Sequence, residues 1–197
     1  MLKTSLVVGC IALLLGMPAC SSSNSEPAVS DSGTAPAIDA SPADASPPVP
    51  TVAEKPAPEC HDLAQEASFI TGSADAGPPP TLAPLAAIQP GVYVLKSSIE
   101  YGGATVTSNE GAERTTVAFT ATKQYYVAEI EGKSARRIIS DWTFANGELT
   151  RTPRCATDSR LVGREVKHSV GASDNGFTLS ASLTAGRTSV FRYERVR

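Results

Sequence analysis

Six Cys and His side chains could carry redox chemistry, soft metal ligation or acid–base chemistry near neutral pH: Cys10, Cys20, Cys60, Cys155, His61 and His168. Their spacing argues against a metal centre. Structural zinc sites draw ligands in close pairs such as C-x-x-C or H-x-x-x-H, and the sequence has neither. Cys60 and His61 are neighbours, so on an extended chain they point to opposite sides. A site made from Cys60, His61, Cys155 and His168 would have to collect its ligands one at a time. Phosphate loops, dinucleotide-binding glycines and a G-x-S-x-G nucleophile turn are also missing from the sequence. His61 and His168 are the only side chains whose unperturbed charge changes near neutral pH. His168 alternates with Val166 and Val170, which turns it toward the apolar side of a strand. The ordinary role there is a partly buried histidine satisfied by a neighbour; the functional one is contact with a ligand. We expect no enzyme, no cofactor and no metal.

The N-terminus decides where this chemistry takes place. Lys3 precedes an apolar run from Leu6 to Met17, interrupted by Gly9, Cys10 and Gly16. That run is shorter than the roughly 20 apolar residues of a spanning helix and suits an export signal. Met17-Pro18-Ala19-Cys20, followed by Ser21-Ser22-Ser23, resembles the lipobox of bacterial lipoproteins, in which a small residue precedes a cysteine. The resemblance implies that residues 1–19 are a signal peptide. Cys20 would then be the first mature residue, carrying diacylglycerol and an N-acyl chain; several chains anchor stably where one is marginal. Ser21 in place of Asp implies the outer membrane, if the source has two membranes. With Cys10 removed and Cys20 lipidated, Cys60 and Cys155 remain as an even pair in an exported chain, for which a disulfide is the default. It would close a loop of about 95 residues, worth ~4 kcal/mol in the chain-entropy model.

Composition divides the rest. Thirteen of the fifteen prolines lie between Pro27 and Pro90, and only Pro153 follows them. Residues 20–87 hold nine acids against the single base Lys55, whereas residues 88–197 hold fifteen bases and eleven acids. Residues 20–59, rich in Ser, Ala and Pro, lack the apolar surface for a core and read as a disordered acidic tether. Residues 60–87 read as a lead-in: Leu63, Ala64, Ala67 and Ile70 recur at helical spacing and predict a short helix or turn, followed by an irregular Gly/Pro stretch. One folded domain remains, residues 88–197. This organisation excludes a large enzyme, a multi-pass membrane protein and a repeat array.

The domain reads as all-β. Tyr93, Leu95, Ile99 and Tyr101 alternate with polar residues, as do Thr115, Val117 and Phe119, then Tyr126, Ala128 and Ile130. Ile138, Ser140, Trp142 and Phe144 line another face, followed by Val162, Val166 and Val170, then Phe177, Leu179 and Ala181, with Val190 to Val196 last. Asn146-Gly147 between apolar runs predicts a type I′ hairpin, because both central residues need positive φ. Seven or eight strands joined by short turns predict an antiparallel up-and-down meander closing into a small barrel, since closure removes exposed edges. A β-sandwich is the alternative.

Gly91-Val92-Tyr93 opening the first strand, with Arg187, Arg192 and Arg195 near the last, resembles the lipocalins, where an aromatic ring on the first strand meets an arginine from the last. The resemblance implies a barrel with an apolar cavity for a hydrophobic ligand. Tyr93, Phe119, Trp142, Phe144, His168 and Phe177 are the candidate ligand-binding residues, with packed core as their ordinary role. Arg151, Arg154, Arg160, Arg164 and Lys167 gather near Pro153. They read either as solvated surface or as a contact for an acidic envelope partner. The expectation is a monomeric, lipid-anchored binding module of the cell envelope, bound to the membrane through its N-terminal lipid. A nucleic-acid partner is not expected for an exported chain. The alternative is an envelope inhibitor of a lysozyme or protease, acting through barrel loops.

Overall fold

The computed structural model describes residues 49–102, 111–183 and 186–197. Residues 1–48, which include the expected signal segment, Cys20 and most of the expected tether, lie outside the described residues. Nine strands follow in chain order: β1 (Ser73–Asp75), β2 (Gly91–Tyr101), β3 (Glu113–Phe119), β4 (Lys123–Ile130), β5 (Arg136–Ala145), β6 (Glu148–Ala156), β7 (Val166–Ser173), β8 (Gly176–Ser182) and β9 (Thr188–Arg195). From β2 onward each pairs antiparallel with the next, and β9 returns to β2, with Tyr93 opposite Arg195 and Tyr101 opposite Thr188. The sheet is therefore a closed eight-stranded up-and-down barrel with β1 added, as the alternation predicts, and not a sandwich. At the β5–β6 turn Asn146 has φ 53° and Gly147 φ 75°, the two positive values that a type I′ hairpin requires. Val162 belongs to no strand. It follows a single 3-10 turn, Ser159–Leu161, capped by Asp158, and stands 45% exposed.

Two β-bulges re-aim side chains. In β2, Leu95 sits opposite Tyr193 but Ser97 opposite Arg192, so two residues span one step of β9. Ser98 therefore takes the inner position opposite Phe191, and Ile99 and Tyr101 fall on the face opposite to Tyr93 and Leu95. The single face predicted for this strand breaks at Lys96. In β6, Cys155 pairs with Ile139 but Pro153 with Ser140. The extra residue, Arg154, shifts Cys155 onto the outer face, where its sulfur bonds that of Cys60, with the Cα atoms 5.6 Å apart.

Residues upstream of the barrel form a strap across its outer wall. His61, Leu63 and Ala67 are buried while Asp62, Ala64 and Glu66 are exposed. This period of two is that of an extended chain, in place of the expected short helix or turn. The barrel selects the extended form by bonding the strap's polar groups. Gln65 Nε2 donates to the carbonyls of Arg114 and Val127, at 3.2 Å each, and the Thr116 hydroxyl donates to Gln65 Oε1. Thr116 Oγ1 accepts from the backbone N–H of Glu66 (2.8 Å) and Ala67 (3.1 Å), and Arg137 donates to the Leu63 carbonyl at 2.8 Å. Cys60 and Leu63 join Val92, Ala118, Tyr125, Val127 and Ile139 in an outer core, which explains why Gly91–Leu95 and Thr115–Phe119 are buried on both faces. Residues 49–59, assigned by composition to the tether, belong to this strap: Val52 packs on the outer core and Glu54 bridges His61.

Farther on, the strap fills the seam where β2 and β3 part. Ile70 exchanges two 2.8 Å backbone bonds with Glu113, and β1 runs parallel to Ile99–Tyr101. It then crosses β7, where Ala172 N–H donates to the Ala83 carbonyl at 2.9 Å. A Cβ on Gly171 would lie 2.6 Å from Leu82 Cβ, so the crossing needs glycine there. The strap ends by inserting Ile88 and Leu85 into the inner core at the end where β2 begins.

Because the disulfide ties strap to barrel across 95 residues of sequence, the Cys60→Ala/Cys155→Ala double variant is expected to lose roughly 2–5 kcal/mol of unfolding free energy. Urea denaturation of oxidised, reduced and variant protein checks this. Coincident curves for all three would refute it.

Candidate functional site

The inner wall has two halves. Toward the end closed by Ile88, aromatic rings fill the lumen. Phe119 meets Trp142, Tyr93 and Phe177 edge-on at centroid distances of 5.0, 5.9 and 5.9 Å. Phe177 stacks on Tyr193 at 4.9 Å. The polar tips of this cluster are satisfied by backbone: the Tyr93 hydroxyl donates to the Gln89 carbonyl at 2.6 Å, and Trp142 Nε1 donates to the Thr120 carbonyl at 3.2 Å. Arg195, opposite Tyr93, donates to the Pro90 carbonyl at 2.5 Å. It packs against Gly91, where a Cβ would meet its Nε at 2.7 Å.

Above these rings lies a cavity of about 160 Å³. That is close to the ~150 Å³ of an apolar cavity that admits benzene. Its apolar side is Val117, Phe177, Leu179 and Phe191, and its polar side is Gln124, Tyr126, Arg151, His168 and Tyr193, with Thr115 and Glu113 toward β3's start. Strand alternation places these groups, since each is the inward residue of its strand. Larger hollows, of about 230 and 390 Å³, lie elsewhere, the first at the barrel end against the Tyr93 and Phe177 rings. One is beside the lead-in and the β7–β8 turn. The other runs between the strap's two limbs and Arg197.

Several polar atoms of the inner cavity have no protein partner among the described residues. Gln124 Oε1, Arg151 Nε and both ring nitrogens of His168 are buried without a hydrogen bond among the described residues, as is Ser140 Oγ, opposite Gln124 on β5. A buried polar atom left unpaired costs about 1–3 kcal/mol, and folded proteins carry few. Four such side chains on β4 to β7 are a concentration that packing alone does not require. The Arg151 guanidinium leans over the Tyr126 ring, 5.8 Å from its centroid.

Burial, and then the Arg151 charge, push the His168 imidazole down to about 4, so it is neutral at physiological pH. Burial also raises the Tyr193 hydroxyl well above the usual phenol range and raises that of Tyr126. Both therefore remain protonated donors. His61 is neutral as well, lowered chiefly by burial, but it is fully bonded. Its Nδ1 accepts from Leu63 N–H at 3.2 Å, which leaves the proton on Nε2, 3.0 Å from the Tyr126 carbonyl.

Of the six residues singled out from sequence, His168 and Phe177 line the cavity. Phe119 and Tyr93 are packed core, Tyr93 also touching the hollow beside the lead-in, and Trp142 and Phe144 pack against that core. Gln124 was not singled out from the sequence, and Tyr126 and Arg151 were read only as a strand-face residue and as one of the bases near Pro153, although Gln124 and Tyr126 share a strand face in the i, i+2 pattern and Arg151 lies two residues from Leu149 and from Pro153. The basic group near Pro153 is dispersed. Arg154 pairs with Asp141 at 2.5 Å, Arg160 with Asp158 at 2.9 Å and Lys167 with Glu148 at 3.1 Å, while Arg151 turns inward. Cys60, Cys155 and their histidine neighbours form no ligand cluster; the sulfurs are bonded to each other. The chain matches no protein-family model, and no curated protein or solved structure matches it significantly.

Because the folded protein holds His168 and His61 neutral, the unfolded chain takes up protons first as pH falls below about 6.5. Stability is therefore expected to be fully present above that value and to decline as pH falls toward 4. Denaturation midpoints across this range, with His168→Gln to remove one titrating group, give the check. An unchanged pH slope in the variant would show that His168 is not a contributor.

Proposed function

We propose that the protein is a lipid-anchored lipoprotein of the cell envelope whose small barrel is a binding module for a small molecule held in the lumen. The observation that carries the binding reading is the inner cavity, where unpartnered groups of Gln124, Arg151 and His168 converge opposite an apolar wall. Ligand pockets commonly have this make-up: apolar lining with a few placed polar groups. At about 160 Å³ the space takes a molecule of benzene-like size rather than a long lipid. The placement of Arg195 against Gly91, at the start of the strand that carries Tyr93, supports a lipocalin-like arrangement. The anchor reading rests on Lys3, the apolar run and Ala19-Cys20-Ser21.

A second reading, an inhibitor acting through loops, draws on the densely filled lower half of the lumen. It also draws on the exposed Val162 beside the capped turn between β6 and β7.

Native mass spectrometry of the full chain released from membranes separates the two. A co-purified small molecule, lost in Arg151→Met/His168→Gln, is the expected result; a bare chain in every preparation favours the loops. For the anchor, a palmitate analogue is expected to label the wild type and not Cys20→Ser. An unlabelled wild type would remove the lipoprotein reading.

A further inference from the structure

We infer that the cavity's ligand is a small organic acid, its carboxylate held by Arg151 and His168 and its apolar body lying against Phe177, Leu179 and Phe191. This inference rests on the barrel being a binding module and names the chemistry of what it binds.

Charge is the first reason. Arg151 on β6 is the one guanidinium lining the cavity, and arginine cannot shed its proton in a protein. Among the described residues it forms no ion pair, although every other arginine near it on β6 and its following loop, except Arg164, has a carboxylate. Glu113 on β3 is the one carboxylate lining the same cavity, and it too forms no ion pair among the described residues. The two therefore do not neutralise each other at close range. The phenols of Tyr126 on β4 and Tyr193 on β9 stay protonated; the Arg151 charge reaches both and that of Arg136 on β5 reaches Tyr126, while the Glu113 carboxylate acts on both from the β3 side. On His168 the only charge acting appreciably is that of Arg151. The wall formed by β6 and β7 is thus positive, and an anionic oxygen is its natural complement.

Hydrogen bonding is the second reason. Arg151 Nε–H and one His168 N–H are buried donors awaiting an acceptor. Gln124 offers an N–H in place of its unpaired oxygen by a half-turn of its amide. A carboxylate accepts along several lone-pair directions and can satisfy these donors together. Size is the third. A cavity of about 160 Å³ holds a ring or a short branched chain beside a carboxylate, and its far wall is apolar. Neutral His168 beside Arg151 also has a use here, because an arriving carboxylate would favour its protonation and so gain a second charged donor.

The test compares benzoate with benzamide, nearly the same in shape and differing in charge, on the full chain carrying Cys20→Ser. Binding is followed by calorimetry, and the His168 ring by NMR through a pH titration. Benzoate is expected to bind at least ~10-fold more tightly than benzamide. That preference is expected to vanish in Arg151→Met and to survive in Arg151→Lys. Benzoate, and not benzamide, is expected to raise the His168 pKa, a readout taken on the unmutated cavity and therefore independent of how the variants fold. Equal affinities, or benzoate binding that leaves the His168 titration unmoved, would overturn the acid assignment and leave the binding module standing. Failure of both probes would also overturn it. The binding reading itself falls only if no co-purified molecule is found either.

Discussion

Closure of the sheet through β2 and β9 governs everything else in this molecule. An antiparallel strand sends alternate side chains to opposite faces, and an eight-stranded barrel has a lumen only wide enough for side chains or one small ligand. Each strand must therefore deliver residues of the right volume to the inside at every second position. Phe119, Leu149 and Leu95 do so and are almost wholly buried. Where the inward residues become Gln124, Arg151 and His168, the lumen stops being filled and a cavity opens. Site and core are thus one device: the same alternation that packs rings at one end presents polar groups at the other.

The outer face is the less expected half of the structure. A barrel of this size commonly leaves its outside to water, yet Val92, Ala118, Tyr125, Val127 and Ile139 point outward and are apolar. They need a cover, and the strap supplies it. The attachment is polar as well as apolar, because an extended segment lying flat on a sheet has backbone groups that must be bonded. Thr116, Gln65 and Arg137 provide those bonds. The bulge at Arg154 belongs to the same logic. Without the extra residue Cys155 would face the lumen, and the disulfide could not reach Cys60.

Much of this could be read from the chain alone where the signal is local. The Asn146-Gly147 hairpin follows from the positive φ that those two residues tolerate. The Cys60–Cys155 pairing is what the lipobox resemblance implies, since it removes Cys10 and lipidates Cys20, and the two sulfurs are bonded in the structure. His168 was placed inside by its alternation with Val166 and Val170, and the cavity is where it lies. The misreadings have physical causes. Leu63, Ala64, Ala67 and Ile70 fit a helical period by count, but a short isolated helix is marginal in water, and the sheet offers this segment more hydrogen bonds when extended. Ile99 and Tyr101 follow Leu95 in strict alternation, but one extra residue at Lys96 reverses the face.

Arg151 marks the boundary most clearly. By composition it is one more base in a run of bases near Pro153, and its neighbours Arg154 and Arg160 do pair with carboxylates at the surface. What separates it from them is parity on a strand whose start is set by the hairpin at Asn146-Gly147 and whose end is displaced by a bulge. Local signals in the chain were enough for the β class, an antiparallel meander of seven or eight strands and the Asn146-Gly147 hairpin, because periodicity and turn chemistry act over a few neighbouring residues. Tertiary structure alone decided which apolar residues face outward under a strap, where the lumen stays open and which charged group stands in it. Those outcomes depend on strand register and ring closure, which join residues far apart in the chain.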